Sequence, residues 1–212
     1  MLSLFFHRLR THGKYALWVP LYLVVFFAIE RLVPKSSYFV LDLPIDRALP
    51  FCEWFIIPYV FWYAALAFTG VYTLYRCPAA FRRYMRFLSI TYFFSALVWL
   101  VFPNAQTLRP EVFPRNNLLT DLVSFLYRID TNTNVFPSVH VAGAVGIALA
   151  WWDCPFPRRR CLVRCAAILL AAAICLSTLL LKQHSLLDLC GGLLVSLVAG
   201  LWVYGESFHT NT

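Results

Sequence analysis

Two short patches hold the side chains of this chain best suited to chemistry: Phe136-Pro137-Ser138-Val139-His140, and His184 with Asp188 four residues on. Each opens a long apolar stretch. Charged residues at membrane depth cost on the order of 2.5–3.5 kcal/mol each on insertion scales, so chains that keep them there generally use them. At a spacing of four, His184 and Asp188 fall one helical turn apart on one face. A carboxylate so placed holds one imidazole nitrogen protonated and oriented, leaving the other as nucleophile or base. Pro137 and Ser138 read as a helix entry. Unpaired N–H groups and partial positive charge at such an entry suit a phosphate, and the Ser138 hydroxyl adds a donor. Phosphoryl transfer also needs fixed positive charge around the equatorial oxygens. Arg109, restrained by Pro110, and Lys182 are the candidates for it. Each residue also has a plainer reading. The His184–Asp188 pair could be polar groups facing lipid headgroups, His140 a packing residue, Arg109 a loop arginine and Lys182 a snorkelling lysine.

The elements that must position these residues are membrane spans. The 212 residues are 61% hydrophobic and 13% charged, against about 25% charged in an average soluble domain. Six apolar runs stand out, at 15–33, 51–75, 87–102, 135–152, 162–181 and 185–204. Each is near the roughly 20 residues that cross about 30 Å of hydrocarbon, the third being short. They predict an all-α, polytopic membrane protein: one integral-membrane domain over 1–212, a six-transmembrane-helix bundle with short loops, an N-terminal cytoplasmic segment 1–14 and a catalytic core over about 51–204. Residues 41–50 read as an interfacial helix. Residues 103–134 read as a connecting loop, with Thr131-Asn132-Thr133-Asn134 as a loop-to-helix turn and Asn104 and Gln106 as polar residues without an assigned role. Glu30-Arg31 closes the first run and no small-residue cleavage pattern follows, so that run reads as an uncleaved span.

Charge sets the orientation. With a cytoplasmic N-terminus, the cytoplasmic segments hold Arg8, Arg10, Lys14, Arg76, Arg82, Arg83, Arg86, Arg158, Arg159, Arg160 and Arg164, 11 of the 18 basic residues. The positive-inside rule counts Lys and Arg, and this split satisfies it. Both termini are then cytoplasmic, and Arg109, His140, Lys182, His184 and Asp188 all fall on the extracytoplasmic face. The net charge of +8 is a topology signal. A nucleic-acid partner fits poorly, because the arginines sit in short loops rather than along one face. Of the seven cysteines, no pair is placed for a disulfide in an oxidising compartment, and all read as small apolar fillers.

These residues resemble the type 2 phosphatidic acid phosphatases, a superfamily that includes lipid phosphate phosphatases and vanadium haloperoxidases. Its three motifs are Lys, six residues, Arg-Pro; Pro-Ser-Gly-His; and Ser-Arg, five residues, His, three residues, Asp. Arg109-Pro110 matches the end of the first, with Phe102 in place of its lysine. Pro137-Ser138-Val139-His140 matches the second, with Val139 for glycine, and Ser177, His184 and Asp188 match the third, with Thr178 for arginine. The resemblance implies that His184 attacks phosphorus and becomes a phosphohistidine, that Asp188 orients it, and that His140 protonates the leaving alkoxide and then helps to activate water. It implies that Arg109, Ser138 and Lys182 hold the phosphoryl oxygens, Lys182 standing in for a missing charge. No metal or other cofactor is required.

The expected function is a membrane-embedded phosphatase of a lipid phosphate, with membrane lipids as its surroundings. Phe102 and Thr178 raise an alternative, since the sphingolipid-synthase type of phosphotransferase also lacks the first motif's lysine and passes its headgroup to another lipid. A rival of another class is a non-enzymatic transporter or metal-binding protein built on the two histidines and one carboxylate.

Overall fold

Five helices long and apolar enough to cross a bilayer emerge in the computed structural model, which describes residues 2–33, 38–155 and 160–209. The structure is 77% helical with almost no sheet. In order they form α1 (Leu2–His12), α2 (Trp18–Leu32), α3 (Pro44–Ala48), α4 (Ile56–Arg76), α5 (Pro78–Val101), α6 (Leu118–Ile129), α7 (Val139–Asp153), α8 (Arg160–Leu180) and α9 (Leu186–His209). A 3-10 turn links α1 to α2, so the first apolar rod runs over Phe5–Leu32. It therefore begins ten residues before the hydrophobic run and takes in basic residues expected to precede it. Pro78 occupies the first turn of α5, where its missing N–H is harmless, and so divides α4 from α5 at Cys77.

The count of six long spans is not reached, because α7 has only 15 residues. That is about 22 Å of helix against about 30 Å of hydrocarbon. The run 135–152 enters as extended chain instead. Val135 and Phe136 donate their N–H groups to Asn104 Oδ1 at 2.9 and 2.7 Å, and Asn104 Nδ2 donates to Phe136 O at 3.0 Å. The fully buried Asn104 thus replaces a helical partner, as non-helical backbone inside a membrane protein requires. From there α7 runs through the centre of the bundle, packed on α4, α5, α8 and α9. Its buried Ala142, Ala144 and Ala150 keep the neighbouring axes close.

Two surface elements flank the site end. The interfacial segment near 41–50 contains the single turn of α3, whose Asp46 is 1% exposed. Asp46 Oδ2 accepts from Leu43 N at 2.8 Å, and Oδ1 accepts from Leu186 N at 2.7 Å, which caps the start of α9. The supposed loop 103–134 holds the 12-residue α6, started by Asn117 Oδ1 accepting from Leu119 N and Thr120 N. It buries Val123 and Leu126 and exposes Leu118, Leu122, Phe125 and Ile129, which suits a helix lying along the interface. Residues 39–40 and 104–105 pair as a short parallel ladder that ties the two connections together.

At the opposite end the cysteine expectation fails. Cys77 and Cys154 form a disulfide across 77 residues of sequence. They lie at the ends of α4 and α7, which only the folded bundle brings together, so sequence spacing carries no sign of the pair. Beside it Arg83 grips Asp153 with two bonds of 2.8 and 2.9 Å. Arg158 and Arg159 lie outside the described residues.

Candidate active site

The turn between α8 and α9 sets the first half of the site. Ser185 Oγ accepts from Asp188 N at 3.2 Å while Asp188 Oδ2 accepts from Ser185 N at 2.7 Å, a reciprocal capping box at the start of α9. The same Asp188 oxygen lies 3.3 Å from His184 Nδ1. One fully buried carboxylate therefore caps the helix and orients the imidazole. The second half comes from α7. Ser138 is its N-cap, with Oγ accepting from Val141 N at 3.4 Å, and His140 follows in the first turn. The two halves touch closely: Ser138 N donates to Asp188 O at 3.1 Å. A Cβ on Gly192 would stand 2.7 Å from Ser138 O, so only glycine lets α9 come this near.

With Nδ1–H donating to Asp188, the lone pair of His184 sits on Nε2. That nitrogen is 3.2 Å from Ser138 Oγ and 3.3 Å from His140 Nδ1. Ser138, His140, His184 and Asp188 are all buried. This arrangement offers an oriented nitrogen nucleophile, flanked by a hydroxyl and by a second imidazole able to move a proton.

The two predicted cations are placed differently. Arg109 donates from Nη1 to Tyr127 O at 3.0 Å and from Nη2 to Asp130 O at 2.6 Å and to Gln183 Oε1. Its guanidinium lies over the Tyr127 ring, 4.4 Å from the centroid. Burial lowers its pKa below the usual value, with Asp130 pulling the other way. Arg109 thus stands behind Gln183 and Asp130 rather than among the residues lining the cavity at the histidines. Lys182 requires a correction. Its backbone is left-handed at φ 55° and its ammonium donates to Asp46 O at 2.5 Å and Leu49 O at 2.6 Å. It bolts α3 to the α8–α9 turn, and the role of phosphate ligand does not match that position. The positions that lack the family's basic residues also add no charge: Phe102 stacks on Phe39 at 4.9 Å, and Thr178 donates its hydroxyl to Cys175 O at 2.7 Å.

A cavity of about 590 Å³ reaches His140 and His184 from between α2, α4 and α5. Its deeper wall is aromatic, including Tyr22, Phe26, Trp62, Tyr92 and Trp99, a lining that suits an apolar chain. Its mouth carries residues that spacing did not single out. Glu30 accepts from Thr131 Oγ1 at 3.0 Å, from Thr133 Oγ1 at 3.2 Å and from Asn134 Nδ2. Asp130 Oδ2 accepts from Tyr59 Oη at 2.5 Å and from Gln183 Nε2 at 3.4 Å, and lies 4.0 Å from His140 Nε2. Nothing in a one-dimensional pattern marks either carboxylate. Glu30 reads as the end of a span and Asp130 as part of the connecting loop. Gln106 is scaffold: Nε2 donates to Lys182 O at 2.8 Å, and Oε1 accepts from Leu108 N at 2.6 Å. Among the described residues, no group of three His, Cys, Asp or Glu side chains is arranged to hold a metal ion.

The family model of the PAP2 superfamily matches residues 104–209, half of the 212-residue chain. That stretch begins at Asn104 and takes in Arg109, Asp130, Ser138, His140, His184 and Asp188. No curated protein and no solved structure matches the chain.

Proposed function

The chain belongs to the PAP2 superfamily, and from that premise we propose that it is a lipid phosphate phosphatase working through a phosphohistidine. Members of the superfamily are generally phosphatases or phosphotransferases, and the long apolar helices make this one an integral membrane protein. The observation that carries the proposal is the set Ser138–His140–His184–Asp188, joined by contacts of 3.2–3.3 Å at the end of an aromatic cavity.

In the proposed reaction His184 Nε2 attacks phosphorus and the bond to the lipid oxygen breaks. His140 gives that oxygen its proton, and the alcohol leaves. His140 then takes a proton from water as the hydroxide attacks the phosphohistidine, releasing phosphate and restoring His184. A covalent intermediate divides one difficult displacement into two easier ones. Ser138 Oγ and the α7 N-terminus support the phosphoryl oxygens, and Arg109 contributes charge from behind Gln183. The lipid tail lies in the aromatic cavity. In the proposed topology α7 brings the crossings to six as the fourth along the chain, the Arg-rich end is cytoplasmic and the histidines face the extracytoplasmic side.

A second reading, headgroup transfer to another lipid, is favoured by the cavity mouth. Glu30 and Asp130 line it and no free cation stands opposite them among the described residues lining it except Arg31, so a singly charged phosphodiester meets less repulsion there than a phosphomonoester dianion. Purified protein in detergent, given lipid phosphates with and without an acceptor lipid, separates the two. Inorganic phosphate release that His184→Ala abolishes supports hydrolysis. A new phosphodiester formed only when acceptor is present supports transfer. Normal turnover by His184→Ala refutes both.

A further inference from the structure

His140 Nε2 is buried without a hydrogen-bond partner, and the group it faces is the Asp130 carboxylate 4.0 Å away. His140 Nδ1 already faces the nucleophile. The site therefore holds two carboxylate–imidazole pairs set head to head. Asp188 addresses His184 through Nδ1 and leaves Nε2 toward the reaction centre. Asp130 addresses His140 through Nε2 and leaves Nδ1 toward the same centre.

Asp130 is held for such a task. Its Oδ2 accepts the Tyr59 hydroxyl at 2.5 Å, and the Tyr59 and Trp62 rings lie on His140 at centroid distances of 4.6 and 4.3 Å. Its backbone carbonyl accepts from Arg109 Nη2 at 2.6 Å, and Gln183, bonded to the same arginine, donates to its carboxylate. α6, Arg109 and α4 thus converge on one carboxylate and aim it at one ring nitrogen. Among the described residues, the other titratable and charged groups that share the cavity with His140 are His184, Tyr63 on α4, Tyr92 on α5 and Tyr22, Glu30 and Arg31 on α2.

Resting on the reading of this site as a phosphohistidine enzyme, we infer that Asp130 is a positioning residue that sets the proton-transfer state of His140. The contact of 4.0 Å tightens when His140 is an imidazolium, as catalytic hydrogen bonds commonly do on loading. The imidazolium then donates Nε2–H to Asp130 and passes its Nδ1 proton to the lipid oxygen as the P–O bond breaks. The neutral ring that remains keeps its Nε2–H on Asp130 and presents the Nδ1 lone pair to the incoming water or acceptor hydroxyl.

The test compares leaving groups. A lipid alkoxide needs a proton to leave, whereas nitrophenolate does not, so a defect in His140's proton slows phosphorylation of His184 by the first and not by the second; breakdown of the phosphohistidine is common to both. Single-turnover release of the alcohol from a dialkylglycerol phosphate and of nitrophenol from 4-nitrophenyl phosphate, with enzyme in excess, is measured for wild type, Asp130→Asn, Asp130→Glu and His184→Ala. Asp130→Asn is expected to lower the single-turnover rate on the lipid phosphate by about 10–100-fold while leaving nitrophenol release within about twofold. A carboxylate favours the charged imidazole, so its loss moves the alkaline limb of the lipid profile to lower pH, by about 1–3 units. Asp130→Glu recovers part of the lipid rate. Equal losses on both substrates, or an unmoved limb, overturn the inference while His184→Ala still reports on the enzyme reading. If Asp130→Asn does not purify, Tyr59→Phe carries the same comparison, since it removes the hydroxyl that fixes the carboxylate, and an equal loss on both substrates counts equally against it.

Discussion

Lys182 separates a structural account from a motif-based one. Replacing it with Met keeps most of the aliphatic volume and removes the ammonium, leaving the carbonyls of Asp46 and Leu49 without their donor. Hydrogen bonds to charged groups contribute about 1.5–3 kcal/mol each, and part of the loss is recovered because a buried ammonium is itself costly to desolvate. Burial does lower the pKa of this lysine, Asp46 opposing, which accords with that cost. The expected net destabilisation is about 2–4 kcal/mol. For a chain of this size that corresponds to a fall of about 5–15 °C in melting temperature. Lys182→Gly loses the same bonds but removes the side chain from a left-handed backbone at φ 55°. That relief, about 1–2 kcal/mol, is outweighed by loss of the buried aliphatic stem at about 0.8 kcal/mol per methylene, so Lys182→Gly should melt below Lys182→Met. The assay is thermal unfolding in detergent beside lipid phosphate turnover measured well below the melting point. Both variants should keep a near-normal KM. A normal melting curve with KM raised tenfold or more refutes the reasoning and returns Lys182 to the phosphate.

Three further outcomes follow from contacts of the same kind. Gly143→Ala places a methyl 2.7 Å from Trp62 Nε1 and 2.8 Å from Tyr92 Oη; it should push Trp62 off His140 and lower stability by about 1–3 kcal/mol, read by unfolding and by loss of turnover. Asp46→Ala uncaps α9 at Leu186 and releases Leu43; a loss of about 1–2 kcal/mol in the melting assay is expected. For topology, a variant keeping only Cys77 and Cys154 should resist a membrane-impermeant maleimide on intact cells even after an impermeant reductant, and react once the cells are opened. Labelling from outside would put the Arg-rich end outside and the histidines in the cytoplasm.

That last experiment also bears on what composition could and could not reveal. Apolar runs of bilayer length give away the long helices because backbone groups in hydrocarbon must be satisfied within their own segment. The spacing of His184 and Asp188 reports their contact for a similarly local reason, one helical turn. Tertiary partners leave no such trace. The helix entry at Pro137-Ser138 is local and readable, but the run from 135 reads as part of the span until Asn104 is seen to occupy the N–H groups of Val135 and Phe136. Lys182 looks like a phosphate ligand until the α3 carbonyls are in place. α6 was legible in principle, from Asn117 followed by Leu118, Leu119, Leu122, Val123 and Leu126 at helical spacing, but it lies between spans where a loop is the default. Cys77–Cys154 sets two rules against each other: the excess of arginine places that end in the cytoplasm, while disulfides persist in oxidising compartments. Glu30 and Asp130 are single acidic residues in sequence, and only the folding of α2 and α6 against the α7 entry brings them to the mouth of one cavity.

The central claim is that His184 carries the phosphoryl group. His140→Ala retains the nucleophile and its carboxylate while slowing breakdown of the intermediate. Loaded with 4-nitrophenyl phosphate, which needs no acid to leave, and quenched in alkali, its tryptic peptides can be mapped for phosphate. The account predicts an acid-labile phosphate on His184, absent from the His140→Ala/His184→Ala double variant. Phosphate on another residue, or nitrophenol released at the wild-type rate by His184→Ala, would contradict it.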